Sequence, residues 1–582
     1  MNHKIGMSDT ADRKQLRRDC LFLAGIIAAF FFLLWKSKYG TGAYDEPFYL
    51  TIPHRISMGD GMFSEEWNFG QFSAFLMLPV MKLYLLVKGT TEGIVLHFRY
   101  LYIVFQTVCT AVIYVNLRKR ELGWAAAWMF FIFCPYDIMA ISYNTMGLAF
   151  MTITGTLLAV PEKQGAKAWY FSGVLFAAAV LCNPFLAVLY FLYTLLAAVI
   201  WLIKKRSSAK FPEEKRPEMG NLGFQAWGWI TAGAGTLAVL FAVTVLSGST
   251  VQELMTNIPL LMQDPEHTGR SVFLVVQVYL SSFWNIYGWY IPVWAVLLFM
   301  AYLFRKDGRK RKLSFGLMSL SCVLCLIGFL PDIQNSYNFI MVPMAVCGAA
   351  AYIMTEYKDG KTFWYLYIFG FAYSFMANYA SNQGMYAISM AMLPADAASV
   401  LFIGKFVQQE RETEEEQGRK ILTAAVVFLF TAQIGTQVYA KAVHAFWEEP
   451  VWRLQAVIGE GPLKGTVTTD EKAARYTRML EDIKTHIKKE GPVLFITEDT
   501  WCYLYADTQY GTFSSYLSGG LEQAAQKWKL YFEAHPDKIP YYIYFPAGQA
   551  DGGWGITAER VSEDYGYDME RSEESYHLYR NK

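Results

Sequence analysis

Apolar runs separated by short polar or basic turns fill the first three quarters of the chain. They lie near 21–35, 98–117, 122–134, 138–160, 168–182, 185–203, 225–247, 286–304, 313–330, 337–354, 363–379, 383–403 and 420–440. A helix needs roughly 20 apolar residues to cross a bilayer, and a helix satisfies its own backbone where water is absent. The pattern predicts a polytopic α-helical membrane protein with about thirteen transmembrane helices over 21–440. A shorter stretch, Phe72–Val87, is interrupted by Pro79 and Lys82. It predicts a helix lying in the membrane interface or dipping into it.

Beyond residue 440 the pattern changes. "EKAARYTRMLEDIKTHIKKE" spaces its charges for a solvated amphipathic helix, and "GPVLFITED" is a short apolar strand bounded by turn residues. "GGLEQAAQKWKLYFEAHPD" and "IPYYIYFP" repeat the alternation. Helix and strand in turn predict a small α/β domain over 441–582. The expected division is then a cytoplasmic N-terminus (1–20), a membrane domain (21–440) whose first outer loop is 36–97, and this C-terminal α/β domain.

Basic residues set the orientation. Arg17 and Arg18, "RKR" (118–120), "KKR" (204–206) and "RKDGRKRK" (305–312) share one side. On the other side "PYD", "CNP", "PDIQNSYN" and "NYASNQG" carry no Lys or Arg. An odd number of spans places the N-terminus in the cytoplasm and the C-terminal domain outside, in a multi-pass protein of the plasma membrane. Short loops without eukaryotic sorting signals read as bacterial. The 16-residue run after "RKQLRRD" lacks a small-residue cleavage pattern and reads as a first span rather than a signal peptide.

Composition sharpens this picture in two places. Only 17% of residues are charged, against about 25% in soluble domains, and the deficit falls in the first three quarters. The formal net charge of +1 gives no footprint for nucleic acid. Seven of the eight cysteines lie in or beside apolar spans, leaving Cys502 alone in the tail, so no disulfide framework is expected. Cys322 and Cys325 form a CxxC inside an apolar run, without partners for a metal.

The candidate chemistry sits in "KYGTGAYDEPFYL" (38–50), where Asp45 and Glu46 follow directly on the first apolar run. Two solvated loop acids are the plain reading. The chemical one is a carboxylate base at the membrane surface, taking the proton of an attacking hydroxyl, with its pKa lifted by apolar surroundings.

Several motifs in order, "YDEPFYLTIPHRISMGDGMF", "FSAFLMLPVMKLYLLV" and "HFRYLYIVFQTVCTAVIYVNLRKRELGWAAAWMFFIFCPYDIMAIS", resemble the first outer loop, interfacial helix and next two spans of the GT-C superfamily. These are polytopic glycosyltransferases that use polyprenyl-phosphate sugars. The similarity is nearest to the protein O-mannosyltransferase and aminoarabinose transferase group. It spans about 1–440 and is strongest over 39–160. It implies an inverting transfer on the outer face from a polyprenyl-phosphate sugar to a glycan, lipid or protein hydroxyl, with Asp45 and Glu46 as the catalytic pair. Relatives carry a Lys before a mid-bundle Pro and an Arg-Tyr opening a late span. This chain has Asn183 in "LCNPF", and Asn335 with Asn338 in "NSYNFIMVP".

Charge building on a departing phosphate needs positive partners. Arg99, Arg55, His54 and Arg270 (with His267) are the outer-side candidates. Asn144 in "SYNTMG", Asn183, Asn335 and Asn382 in "NYASNQG" are candidates for sugar hydroxyls. Asp137 and Asp332 are further rim acids, but no spacing specifies a metal site. No cofactor is expected from the residues, and a divalent cation at the acidic pair is left open. The competing readings are a transporter or flippase, and a polymerase or ligase of envelope polysaccharide. Few mid-span charges and no internal repeat disfavour the first.

Overall fold

The computed structural model describes residues 2–42, 45–160, 165–208, 219–261, 271–288, 290–307, 310–327, 337–356, 358–381, 383–410, 416–444, 448–516, 521–546, 561–572 and 576–580. Helix dominates up to residue 443. α1 (Asn2–Lys36) is followed by α2 (Asp45–Ser57), α3 (Gln71–Lys88), α4 (Ile94–Leu117), α5 (Gly123–Ile132), α6 (Tyr143–Ala159) and α7 (Ala166–Cys182). Glycine sets two of these boundaries. Gly89 closes α3 at φ 67° and Gly93 precedes α4 at φ 71°, left-handed positions that cost a glycine little.

Among the described residues, six helices are long and apolar enough to cross a membrane, or eight if two bent pairs each count as one span. The thirteen expected runs are not thirteen such helices. Run 122–134 gives the ten-residue α5, and run 138–160 gives the 17-residue α6. Pro135 separates them, and Tyr136 and Asp137 follow at φ 54° and 56°. The run near 286–304 gives Tyr290–Phe304, which meets the preceding helix Val272–Tyr287 at an 81° bend, and the run near 383–403 bends by 52° between Met385–Ala391 and Leu393–Gln409. Phe72–Val87, expected at the interface, lies in the unbroken α3, which meets the spanning criterion with Pro79 inside it.

The C-terminal part holds two small sheets. β1 (Ala456–Val457) and β2 (Val467–Thr468) pair antiparallel. β3 (Val493–Phe495), β4 (Tyr542–Pro546), β5 (Asp568–Ser572) and β6 (Tyr576–Arg580) form a sheet in the order β3-β4-β6-β5. β3 and β4 are parallel, and the crossover between them contains the helix Leu521–Ala534. The helix–strand alternation expected from the sequence is present.

This part packs against the first loop. Val467 N–H donates to Lys38 O at 2.7 Å and Gly40 N–H to Val467 O at 2.8 Å, so β2 continues into the chain leaving α1. Gly93 N–H donates to Gly461 O at 2.9 Å beside the start of α4. Two apolar cores are shared. One joins Leu50, Met77 and Phe98 to Leu480, Phe495 and Tyr544; the other joins Met62 and Trp67 to Trp528 and Tyr531. A separate core of the helical bundle runs from Phe22 to Ala440.

Candidate active site

Asp45 and Glu46 form the first turn of α2, where carboxylates oppose the positive end of the helix dipole. Their environments differ. Asp45 is half-buried, whereas Glu46 is 2% exposed. Glu46 accepts from Arg99 Nε at 2.6 Å and from Arg99 Nη2 at 2.5 Å. Arg99 Nη1 donates to the carbonyls of Ser37 (2.6 Å) and Tyr39 (3.2 Å). All three guanidinium nitrogens are therefore bonded to protein. Burial pushes the Glu46 carboxyl above its ordinary range, against the pull of Arg99. Gly42 makes room for this pair: a Cβ there would stand 1.8 Å from Glu46 Oε2.

Asp45 lies among tyrosines. Its carboxylate acts electrostatically on Tyr49, Tyr136 and Tyr143. The Tyr49 hydroxyl is pushed well up, by burial first and then by neighbours that include Tyr143 and Asp45. Tyr143 is hydrogen-bonded to Tyr49 and Asn144, and its ring meets that of Tyr49 edge-on at 5.5 Å. Tyr136 is hydrogen-bonded to Ser381. Residues of the motifs "PYD", "SYNTMG" and "NYASNQG" thus meet near Asp45. A capping box fixes the start of α6, with Thr145 N–H donating to Ser142 Oγ at 3.2 Å and Ser142 N–H to Thr145 Oγ1 at 2.9 Å. The consecutive left-handed residues Tyr136 and Asp137 are strained positions, of the kind that collects at functional sites.

The other expected cations are placed differently. Arg55, at the far end of α2, is 0% exposed. It donates from Nε to Asp60 (2.6 Å), from Nη1 to Glu66 (3.1 Å) and from Nη2 to the Tyr531 hydroxyl (2.8 Å). Burial alone would raise Asp60, but Arg55 and Lys538 hold it below its ordinary value. Burial lifts Glu66 to about 7 against Arg55. His54 Nδ1 lies 3.0 Å from the Tyr510 hydroxyl, and burial lowers its pKa to about 4 despite Asp507. Arg55, His54 and Arg99, the residues expected at a phosphate, are thus each buried against protein partners.

Asn183 caps a short turn, accepting from Phe185 N–H at 3.2 Å. Arg270, His267, Asp332, Asn335 and Asn382 lie outside the described residues, as does the side chain of Asn338. No group of three or more His, Cys, Asp or Glu suited to a metal occurs among the described residues.

Sequence reasoning missed two features. The segment Tyr510–Tyr516 lies along one stripe of α2. The Tyr516 ring lies tilted at 4.7 Å from that of Phe48, Ser515 Oγ lies 2.5 Å from Thr51 Oγ1, and Tyr510 reaches His54. Their signal was faint: a helix buried from Glu46 to Arg55 on every face must have partners supplied from elsewhere. The second is a buried charge cluster behind the site. Lys36 (1% exposed) donates to His444 O, and Lys441 (4% exposed) donates to Phe131 O at 2.7 Å. Asp137 acts electrostatically on both.

No protein-family model matches the chain, and no curated protein matches it. Among solved structures it is similar to ArnT from Cupriavidus metallidurans bound to undecaprenyl phosphate, at 10% identity and a TM-score of 0.45, covering 97% of this chain and 98% of that one. It is also similar to the Archaeoglobus fulgidus oligosaccharyltransferase tethered with an acceptor peptide, at 11% identity and a TM-score of 0.45, covering 97% and 74%. Overlaps this distant fix neither residue roles nor substrate.

Proposed function

We propose that the chain is an integral membrane glycosyltransferase that moves a sugar from a polyprenyl-phosphate donor to an acceptor hydroxyl, with inversion, on the face carrying the C-terminal domain. One observation carries the reading. Of the acidic pair that follows the first span, Glu46 is buried against Arg99 and Asp45 stands half-buried beside Tyr49, Tyr136 and Tyr143. Glu46, bound to Arg99, fixes the first turn of α2, and the adjacent Asp45 is held at the rim where a lipid-held donor and a water-side acceptor meet. Asp45 is the base. It takes the acceptor's proton as the acceptor oxygen attacks the anomeric carbon and the bond to the phosphate oxygen breaks. The lipid phosphate leaves with its electron pair.

Tyr49, Tyr136, Tyr143 and Asn144 supply hydroxyl, amide and ring surfaces suited to a sugar. With Arg99 and Arg55 in ion pairs, Arg270 is the cation assigned to the departing phosphate. The N-terminus is assigned to the cytoplasm, and the acceptor class remains a glycan, lipid or protein.

The test uses protein in nanodiscs with a panel of polyprenyl-phosphate sugars and follows free polyprenyl phosphate by mass spectrometry. Wild type is expected to release it, and Asp45→Asn to release about 10²-fold less or lower still, the scale of a lost general base. Release by Asp45→Asn at the wild-type rate removes the base. No release from any donor with any acceptor class removes the enzyme.

A further inference from the structure

α1 and α4 enclose a second feature, on the side of the bundle away from Asp45. A groove of about 550 Å³ is lined by Phe30, Leu34, Trp35 and Lys38 from the end of α1, and by His97, Tyr100, Leu101 and Val104 from the start of α4. That volume falls within the roughly 300–1,000 Å³ of small-molecule sites. Positions 97, 100, 101 and 104 make one helical stripe, and Arg99 leaves α4 on the opposite face toward Glu46. On α1 the same holds for Phe30, Leu34 and Trp35 against Lys36, which points to His444. The groove therefore backs onto the buried charges instead of opening into the candidate active site.

Both walls are membrane-spanning helices by length and composition. The groove also opens outward, since Trp35 is 48% and Val104 46% exposed. Its walls are apolar along their length and polar at one end. There Lys38 is exposed, and the His97 ring lies tilted at 4.8 Å from that of Tyr84 with Lys88 in electrostatic reach. That end is where the chain leaves α1 to meet β2. Trp35 and Tyr100 flank it, as amphipathic rings do at headgroup depth.

We infer that this groove binds one anionic phospholipid of the bilayer, an acyl chain lying along Phe30, Leu34, Leu101 and Val104 and the phosphate meeting Lys38 and His97. Charge complementarity selects the occupant. A zwitterionic lipid offers the same tail but a cationic group to the basic end, and a neutral hydrocarbon leaves Lys38 and His97 unused. The inference does not rest on glycosyl transfer.

The experiment reconstitutes the full chain in nanodiscs of equal phosphatidylglycerol and phosphatidylcholine, then reads the lipids that stay bound by native mass spectrometry. Phosphatidylglycerol is expected to exceed phosphatidylcholine about fivefold in the one-lipid adduct, the effect of about one basic residue on an anionic lipid. Lys38→Glu should bring the ratio to parity. Val104→Trp, which fills the groove, should lower retention of both lipids. A wild type that retains the two equally, a Lys38→Glu protein with the enrichment intact, or displacement of the adduct by added polyprenyl phosphate would each overturn the assignment. Both variants lie at the lipid-facing surface, and an unchanged thermal midpoint shows that each is folded.

Discussion

The two ends of α2 are each held by a buried arginine, and the two sites are built differently. At the first turn Arg99 comes from α4 and joins one carboxylate, Glu46, with two backbone carbonyls. At the last turn Arg55 belongs to α2 itself and joins two carboxylates and a tyrosine, with Lys538 completing the charge balance on Asp60 at 2.6 Å. The first ties the loop to the membrane helices; the second ties it to the C-terminal part. A buried ion pair adds little net stability over an apolar replacement, yet breaking one leaves an uncompensated charge. The pairs act as locks on the angle of α2, and so on the placement of Asp45.

The largest effect is expected from Arg55→Ala, which strands Glu66 and leaves Asp60 to Lys538 alone. It should destabilise docking of the C-terminal part by roughly 3–5 kcal/mol, seen as a lowered thermal midpoint and protease cleavage in the 448–516 region. Arg99→Ala strands one carboxylate and should cost somewhat less stability, on the order of 3 kcal/mol. It should also lower sugar transfer more steeply than Arg55→Ala does at temperatures where both remain folded. Equal loss of activity in the two would break the distinction between them.

A finer contrast lies in pH. Glu66 has its folded pKa raised to about 7, so between about 4.5 and 7 the native state binds more protons than the unfolded one. Its contribution is present at low pH and is lost as pH rises through that window. His54 is lowered to about 4. Between about 4 and 6.5 the unfolded state binds more protons, so its contribution is present above 6.5 and lost as pH falls. The two slopes oppose and partly cancel in the wild type. Glu66→Gln should leave stability rising with pH over 4–6.5. His54→Gln should leave it falling over 4.5–7, each by about 1.4 kcal/mol per pH unit at most. Parallel pH profiles for wild type and both variants would remove both assignments. The smallest effect is the control. Lys464→Ala breaks an exposed pair with Glu92 at 2.9 Å and should shift stability by under about 0.5 kcal/mol.

Much of this was legible in the chain. Apolar runs announced the helical membrane domain, and the switch to charged periodicity announced the α/β tail. β3, β4 and the helix between them fall where "GPVLFITED", "IPYYIYFP" and "GGLEQAAQKWKLYFEAHPD" placed them. β5 carries no such signal, because "DMERS" is a polar edge strand whose pairing comes from its neighbour β6. Among the described residues, the length of an apolar run did not give the length of the helix. Hydropathy integrates over a window, whereas helix length is set locally by Pro135, by two left-handed residues after it, and by bends that packing tolerates.

At the candidate site, residue types were legible and their commitments were not. An arginine at a span boundary reads alike whether it awaits a phosphate or grips a carboxylate 53 residues away. The sequence by itself determined that the chain enters a membrane, that an acidic pair follows the first span, and that a mixed helix–strand part ends it, since each is a matter of local composition and periodicity. Only the tertiary structure decided that Glu46 is the acid buried against Arg99 while Asp45 stands half-buried beside tyrosines, and that Tyr510–Tyr516 packs on α2. Those outcomes depend on partners up to several hundred residues apart, and burial makes each charge choose a partner wherever the fold supplies one.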